Sequence, residues 1–218
     1  MGKKTLLLIC TFFLCSTLAL ARAGTAGAQE NKIFLYPSYY EVSAPGEEFE
    51  IYINITVTHA IDFFAIQNIT WDPDIIELRY GNESDFVEGP YMSEYGTTGF
   101  VVTGINQTAG RVDEVMNGYI SMSERPPGSG NLFKILFRGK AEGETLISME
   151  YAYLLDAYSD PEWYLDPTNG LVLEPGTVHV IPEFPSVILM LLLLIVITSV
   201  LIISTARSRK RQSHIDRS

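Results

Sequence analysis

The 218-residue chain holds two cysteines, Cys10 and Cys15, and beyond residue 15 it has none. That absence excludes a disulfide framework, a thiolate metal site and a cysteine nucleophile for everything downstream. Histidine is nearly as scarce: His59, His179 and His214 stand apart, with no HExxH pair among them. There is no GxSxG elbow and no phosphate-cradling glycine loop. Enzyme chemistry therefore has little to stand on. A carboxylate pair for glycoside hydrolysis needs only a separation in space, so a glycoside hydrolase stays as a third reading behind two binding readings. No internal repeat and no low-complexity segment is present, and no stretch before residue 187 keeps a helical period.

What the chain does have at its ends gives it an address. Lys3 and Lys4 precede an apolar run, Thr5 to Leu20, and small residues follow. This is the order of a secretory signal peptide, assigned to residues 1–28. Ala19-Leu20-Ala21 and Ala26-Gly27-Ala28 both fit a cleavage site. At the other end Val187 to Ile203 carries no charge and Ser204-Thr205-Ala206 extends it. About 20 apolar residues span a bilayer core, so Val187–Ala206 is expected to be a transmembrane helix. Arg207, Arg209, Lys210 and Arg211 follow in a basic cytoplasmic tail, 207–218. The expectation is a cell-membrane protein with one span and an extracellular N-terminal domain. Pro-Glu-Phe-Pro before the span also resembles a sorting signal, so a retained helix and a helix removed by a sortase-like enzyme both stay open.

Basic residues are scarce between these ends. Eight of the 15 lie in the signal or the tail, as does one acid of 26, so the exported part carries seven basic and 25 acidic residues, a charge of −18. Such a surface repels nucleic acid and suits basic partners or cations. Four sequons fall in the same stretch, at Asn54, Asn68, Asn82 and Asn106. Sequons without disulfides point to a prokaryotic surface protein, archaeal in the narrower reading.

Phe49-Glu-Ile-Tyr-Ile-Asn-Ile-Thr-Val57 alternates strictly, which predicts a half-buried strand with Asn54 on its wet face. Further strands are expected at 33–36, 63–71, 99–105, 119–123, 132–139, 145–154 and 177–181, separated by Gly/Pro turns. Many short strands predict an all-β sandwich over 29–181, with 182–186 as a stiff proline-rich stalk. Within WDPDIIEL (71–78), Pro73 and the Asp72 side chain predict a turn, after which Ile75, Ile76 and Leu78 re-enter the core.

The order PGEEFEIYINITV, FFAIQNITWDPDIIEL, NGYISM, NLFKILFRGKAEGETLISM and GTVHVI resembles the cohesin domain of cellulosome-type scaffolds, over about residues 42–181. The resemblance implies a jelly-roll β-sandwich of about nine strands, related to carbohydrate-binding modules. It also implies a sheet face that receives a dockerin, a small calcium-loaded helical module. If Asn68 faces outward, a period of two places Phe64, Ile66 and Thr70 on that face with it. Phe64 and Ile66 then form an apolar partner-binding pair, a departure from the polar character of type I members. The competing site is the loop around Tyr158, Asp160, Trp163, Tyr164 and Asp166, where aromatic faces beside carboxylates suit polysaccharide. Its oxygen-rich character also admits calcium, although the spacing does not match an EF-hand.

Overall fold

The computed structural model describes residues 30–121, 124–157, 163–182 and 190–200. Among these, two β-sheets pack face to face. The first runs β12(Val172–Glu174), β1(Lys32–Tyr36), β3(Glu48–Val57), β9(Gly128–Gly139), β5(Ile76–Leu78), with β6(Phe86–Glu88) also on β9. The second runs β2(Tyr39–Val42), β13(Gly176–Val180), β10(Gly143–Asp156), β4(Phe63–Thr70), β8(Arg111–Gly118), β7(Val101–Asn106), with β11(Trp163–Leu165) also on β10. One short helix, α1(Pro90–Ser93), lies between β6 and β7.

The strict alternation of β3 has the expected result. Phe49, Ile51, Ile53, Ile55 and Val57 are all buried, and they sit beside Phe137, Ile135 and Phe133 of β9 in antiparallel register. Rings interleave between the sheets: Trp71 meets Phe137 edge-on at 5.3 Å, and Phe64 stacks on Phe133 at 6.2 Å. Fully burying such a side chain is worth about 1.5–3 kcal/mol.

Among the described residues thirteen strands stand where about nine were expected, partly because two runs are each shared between the sheets. The chain leaves β1 at Tyr36, passes Pro37-Ser38 and enters the other sheet as β2. At Pro175 the run β12–β13 makes the same crossing beside it, parallel in both halves. The strand expected at 119–123 is not found: Tyr119 makes only an isolated bridge to Thr98, and 122–123 lie outside the described residues. The strand is β8 instead, at 111–118, where Asp113-Glu114 interrupts the apolar alternation.

The WDPDIIEL corner is a turn. The Asp74 N–H donates to Asp72 Oδ1 at 2.9 Å, and Ile75 and Ile76 donate to the Asp72 carbonyl. Ile76 and Leu78 are buried, and Ile75 is half-buried. Nearby, Gln107 holds the two sheets together as a strand would: Leu78 N–H donates to its Oε1, and its Nε2 donates to the Leu78 carbonyl, both at 3.1 Å.

Residues 190–200 are helical. Among the described residues no helix is long and apolar enough to cross a membrane. Residues 1–28, read as a signal peptide, both ends of Val187–Ala206 (187–189 and 201–206) and the basic segment 207–218 lie outside the described residues.

Candidate functional site

The strand β4 was expected to show Phe64 and Ile66 on its outer face, and this is overturned. Both are fully buried, whereas Gln67, Asn68 and Thr70 reach the surface. The reason is a change of phase at Gln67-Asn68, where two consecutive residues leave the core. Asn68 adopts φ 52° there, a left-handed conformation that asparagine tolerates better than most residues. The neighbouring strands change phase at the same level: Glu150-Tyr151 on β10, Asp113-Glu114 on β8 and Thr103-Gly104 on β7, with Gly104 at φ 67°. One extra residue normally breaks a pairing register. Here all four strands take it together, so the pairing skips the row of Glu150, Asn68, Asp113 and Gly104 and resumes in the same register, from Thr70↔Ser148 to Phe63↔Leu155.

This row puts an acidic band across the outer face of β10-β4-β8-β7. Asn68 Nδ2 donates to Glu150 at 2.6 Å, and Gln67 Nε2 donates to Glu114 at 3.1 Å. Arg111 is the one lysine or arginine on these four strands, and Asp113 takes it at 2.8 Å. The outer face of the other sheet differs. There Lys32 pairs with Glu174, Lys134 with Glu50 at 2.7 Å, and Arg138 with Glu77. The Lys134 ammonium, then the Tyr52 hydroxyl, hold the Glu50 carboxyl below its ordinary value. Exposed pairs of this kind add little stability; what they do is neutralise that face.

Beside the acidic band lies a group of rings. Phe63 stacks on Tyr153 at 5.8 Å, and Tyr153 meets Tyr164 at 5.9 Å and Tyr151 at 6.3 Å. Tyr164 is 42% exposed. Burial raises the Tyr153 hydroxyl above its usual value. The group stands on a clamp around Asp166. Its Oδ1 accepts from Thr168 N–H and Oγ1, and its Oδ2 accepts from Tyr151 at 2.7 Å and Tyr164 at 3.1 Å.

These bonds, the Thr168 hydroxyl first and Tyr151 next, lower the Asp166 carboxyl to about 2. Bonds to Tyr164 and Asp166 push the Tyr151 hydroxyl up. A carboxyl depressed in the folded state stabilises above its ordinary pKa of 3.8, and that contribution disappears as pH falls toward 2. The native chain is therefore expected to lose more stability between pH 4 and pH 2 than Asp166→Asn does. Parallel pH profiles in urea unfolding would show that the clamp contributes nothing.

The clamp also corrects the sugar-loop expectation. Both Asp166 oxygens are occupied, leaving no free fork for a sugar hydroxyl pair. Trp163 and Tyr164 do not form one platform, because adjacent residues of β11 point to opposite sides. Trp163 stacks on His59 at 4.4 Å, and Tyr164 joins the ring group. Tyr158 and Asp160 lie outside the described residues. Among the described residues no cluster of three or more His, Cys, Asp or Glu side chains is placed to hold a metal ion. Thr70 does reach the expected face, where its hydroxyl meets Ser148 at 2.9 Å.

No family model matches the sequence, and no curated protein does. Solved structures match the arrangement of strands. A non-cellulosomal cohesin from the archaeon Archaeoglobus fulgidus superposes with TM-score 0.50 and 12% identity, over 72% of this chain and 95% of that one. The chain has the cohesin fold. A type I cohesin of Pseudobacteroides cellulosolvens gives TM-score 0.52 and 15% identity, over 72% of this chain and 95% of its own. A type II cohesin of Acetivibrio cellulolyticus, solved as a complex with an X-dockerin partner, gives 0.51 and 15%, over 70% and 99%. In this cohesin-fold domain the ring group and the acidic band share one outer sheet face. Sequence reasoning missed Phe63, Asp113, Glu114 and Glu150 as members of it, and read Tyr151 and Tyr153 with the sugar-loop stretch 151–170 instead. Their signal was present in Tyr151-Ala-Tyr153 and in the Asp113-Glu114 break, but the phase change hid the face.

Proposed function

We propose that this chain is a non-catalytic docking module at the cell surface, anchored by Val187–Ala206. Its partner is a dockerin-type protein module, seated on the outer face of β10-β4-β8-β7. The observation that carries this reading is the contrast between the two outer faces. One is neutralised by its own ion pairs. The other presents Phe63, Tyr153 and Tyr164 beside Glu114 and Glu150, which meet only the neutral amides of Gln67 and Asn68, while its one strand-borne lysine or arginine, Arg111, is taken by Asp113. Exposed aromatic anchors beside unneutralised charge are typical of partner sites. The acidic band favours a partner that brings lysine or arginine to it.

The test uses the full chain in detergent against a panel of purified calcium-loaded dockerin modules, with insoluble polysaccharides in parallel. Tyr153→Asp and Tyr164→Ala are expected to weaken protein capture at least about tenfold, a hot-spot effect of 1.4 kcal/mol or more. Lys134→Ala on the opposite face is expected to leave it unchanged, and circular dichroism checks that every variant is folded. Retention on polysaccharide alone, or capture lost through Lys134→Ala and not through the tyrosines, would defeat the reading.

A further inference from the structure

The four sequons divide into two pairs by place. Asn54 and Asn68 sit mid-strand in the interior of a sheet. Asn54 is held between β1 and β9, and its Oδ1 accepts from Asn131. Asn68 lies on β4 between β10 and β8, whose ladders pair its neighbours Gln67 and Ile69 on both sides, and its Nδ2 donates to Glu150 at 2.6 Å. Asn82 sits at an exposed turn, and Asn106 is the exposed last residue of β7, paired with Arg111 at the turn into β8. The Asn82 side-chain oxygen accepts from Ser84 N–H and Oγ, an Asx turn that brings the sequon's hydroxyl onto its own asparagine at 2.6 Å. Its Nδ2 reaches the Tyr80 carbonyl only at 3.5 Å. Asn106 Oδ1 accepts from Ala109 N–H in the turn that follows β7.

We propose that Asn82 and Asn106 carry N-linked glycans, that Asn54 and Asn68 stay bare, and that the two glycans cover the open edge of the sandwich. In the transfer, the C1–O bond of a phosphate-activated oligosaccharide breaks and a C1–Nδ2 bond forms. The phosphate leaves, and Nδ2 gives up one proton. A transferase must draw the asparagine and its hydroxyl partner into its own groove. An exposed turn can be drawn in without breaking sheet pairing, and a mid-sheet strand cannot.

The two turns are neighbours. Gln107, adjacent to Asn106, clips Leu78, and its amide lies 3.5 Å from where a Cβ on Gly81 would stand, one residue before Asn82. They flank the side of the sandwich where β7 ends one sheet and β5 and β6 pair only with β9. A recess of about 290 Å³, lined by Glu83, Phe86, Phe100, Val101 and Val102, opens on that side. Val87 and Val101 are 40% and 44% exposed there. Natural edge strands are protected by charges or proline, and Val101–Asn106 has neither. A bulky, solubilising glycan beside each sheet's edge at this corner would hinder strand addition. Both sheet faces would stay bare.

The test is peptide mass mapping of the full chain isolated from its own cell envelope, with four variants that delete each sequon hydroxyl and keep the asparagine. Ser84→Ala and Thr108→Ala are each expected to remove one glycan, and together both. Thr56→Ala and Thr70→Ala are expected to leave the glycan mass unchanged. The Ser84→Ala/Thr108→Ala double variant is expected to self-associate at least several-fold more in light scattering, with its circular dichroism intact. A glycan on Asn54 or Asn68, or a bare Asn82 or Asn106, overturns the site assignment. A double variant that stays as dispersed as the native chain overturns the edge function.

Discussion

Replacing Phe64 with alanine is expected to lower the stability of the domain by about 3–5 kcal/mol, the usual cost of emptying a buried phenylalanine site. Phe64 has no exposed surface, and its ring stacks on Phe133, which also meets Phe86 and Phe100 at 6.5 and 5.8 Å. Phe133 therefore loses one wall of a four-ring cluster, and the surrounding strands are too well paired to collapse into the gap. Thermal unfolding should move down by on the order of 10 °C in a domain of this size. Phe64→Asp should not fold at all, because a carboxylate there has no partner. Phe63→Ala, one residue away on the outer face, should cost about 1 kcal/mol or less and be read in docking instead. A Phe64→Ala variant that unfolds like the native chain would mean that Phe64 lies on the surface.

The second large effect is expected at Asp85. Its carboxylate is fully buried and accepts three backbone N–H groups, from Tyr80 at 2.9 Å, Gly81 at 2.8 Å and Asn82 at 3.3 Å. It thereby sets the turn that delivers Phe86 and β6 onto β9. Asp85→Ala strands these donors, each worth about 1–3 kcal/mol when left unsatisfied in the interior. The terms are not additive, and roughly 3–5 kcal/mol in total is expected. Asp85→Asn keeps one acceptor oxygen and should fall between. Urea unfolding gives the magnitude, and hydrogen exchange at the Tyr80, Gly81 and Asn82 amides should accelerate first. A loss below about 1 kcal/mol would show that water takes the place of the carboxylate. Phe86 lines the recess, so a loosened turn should also disturb the open edge, whereas the proposed docking face, carried by the other sheet, should keep its geometry.

Part of this domain was legible in its residues. The all-β class, the β3 strand and the Asp72 turn follow from local rules: a strict period of two, a proline of fixed φ, and an aspartate that bonds two residues ahead. The resemblance to cohesins, carried by the order of weak motifs, agrees with the fold observed. Strand count was undercounted at 172–174, because Glu174-Pro175-Gly176 read as a turn, whereas there the chain crosses from one sheet to the other between two strands.

The site was not legible in the same way. Read alone, β4 obeys a period of two, and anchoring it at Asn68 sends Phe64 and Ile66 outward. Placing them inward requires that Asn68 turn left-handed, and one strand alone would lose its register by doing so. It becomes affordable because Gly104, Asp113-Glu114 and Glu150-Tyr151 make the same insertion on three neighbours that are distant in sequence. Sequence by itself determined which segments extend, where they turn and how acidic the domain is, since those depend on local pattern and composition. Only the tertiary structure decided which residues reach the outer sheet face, because the phase of a strand is set by the strands hydrogen-bonded to it.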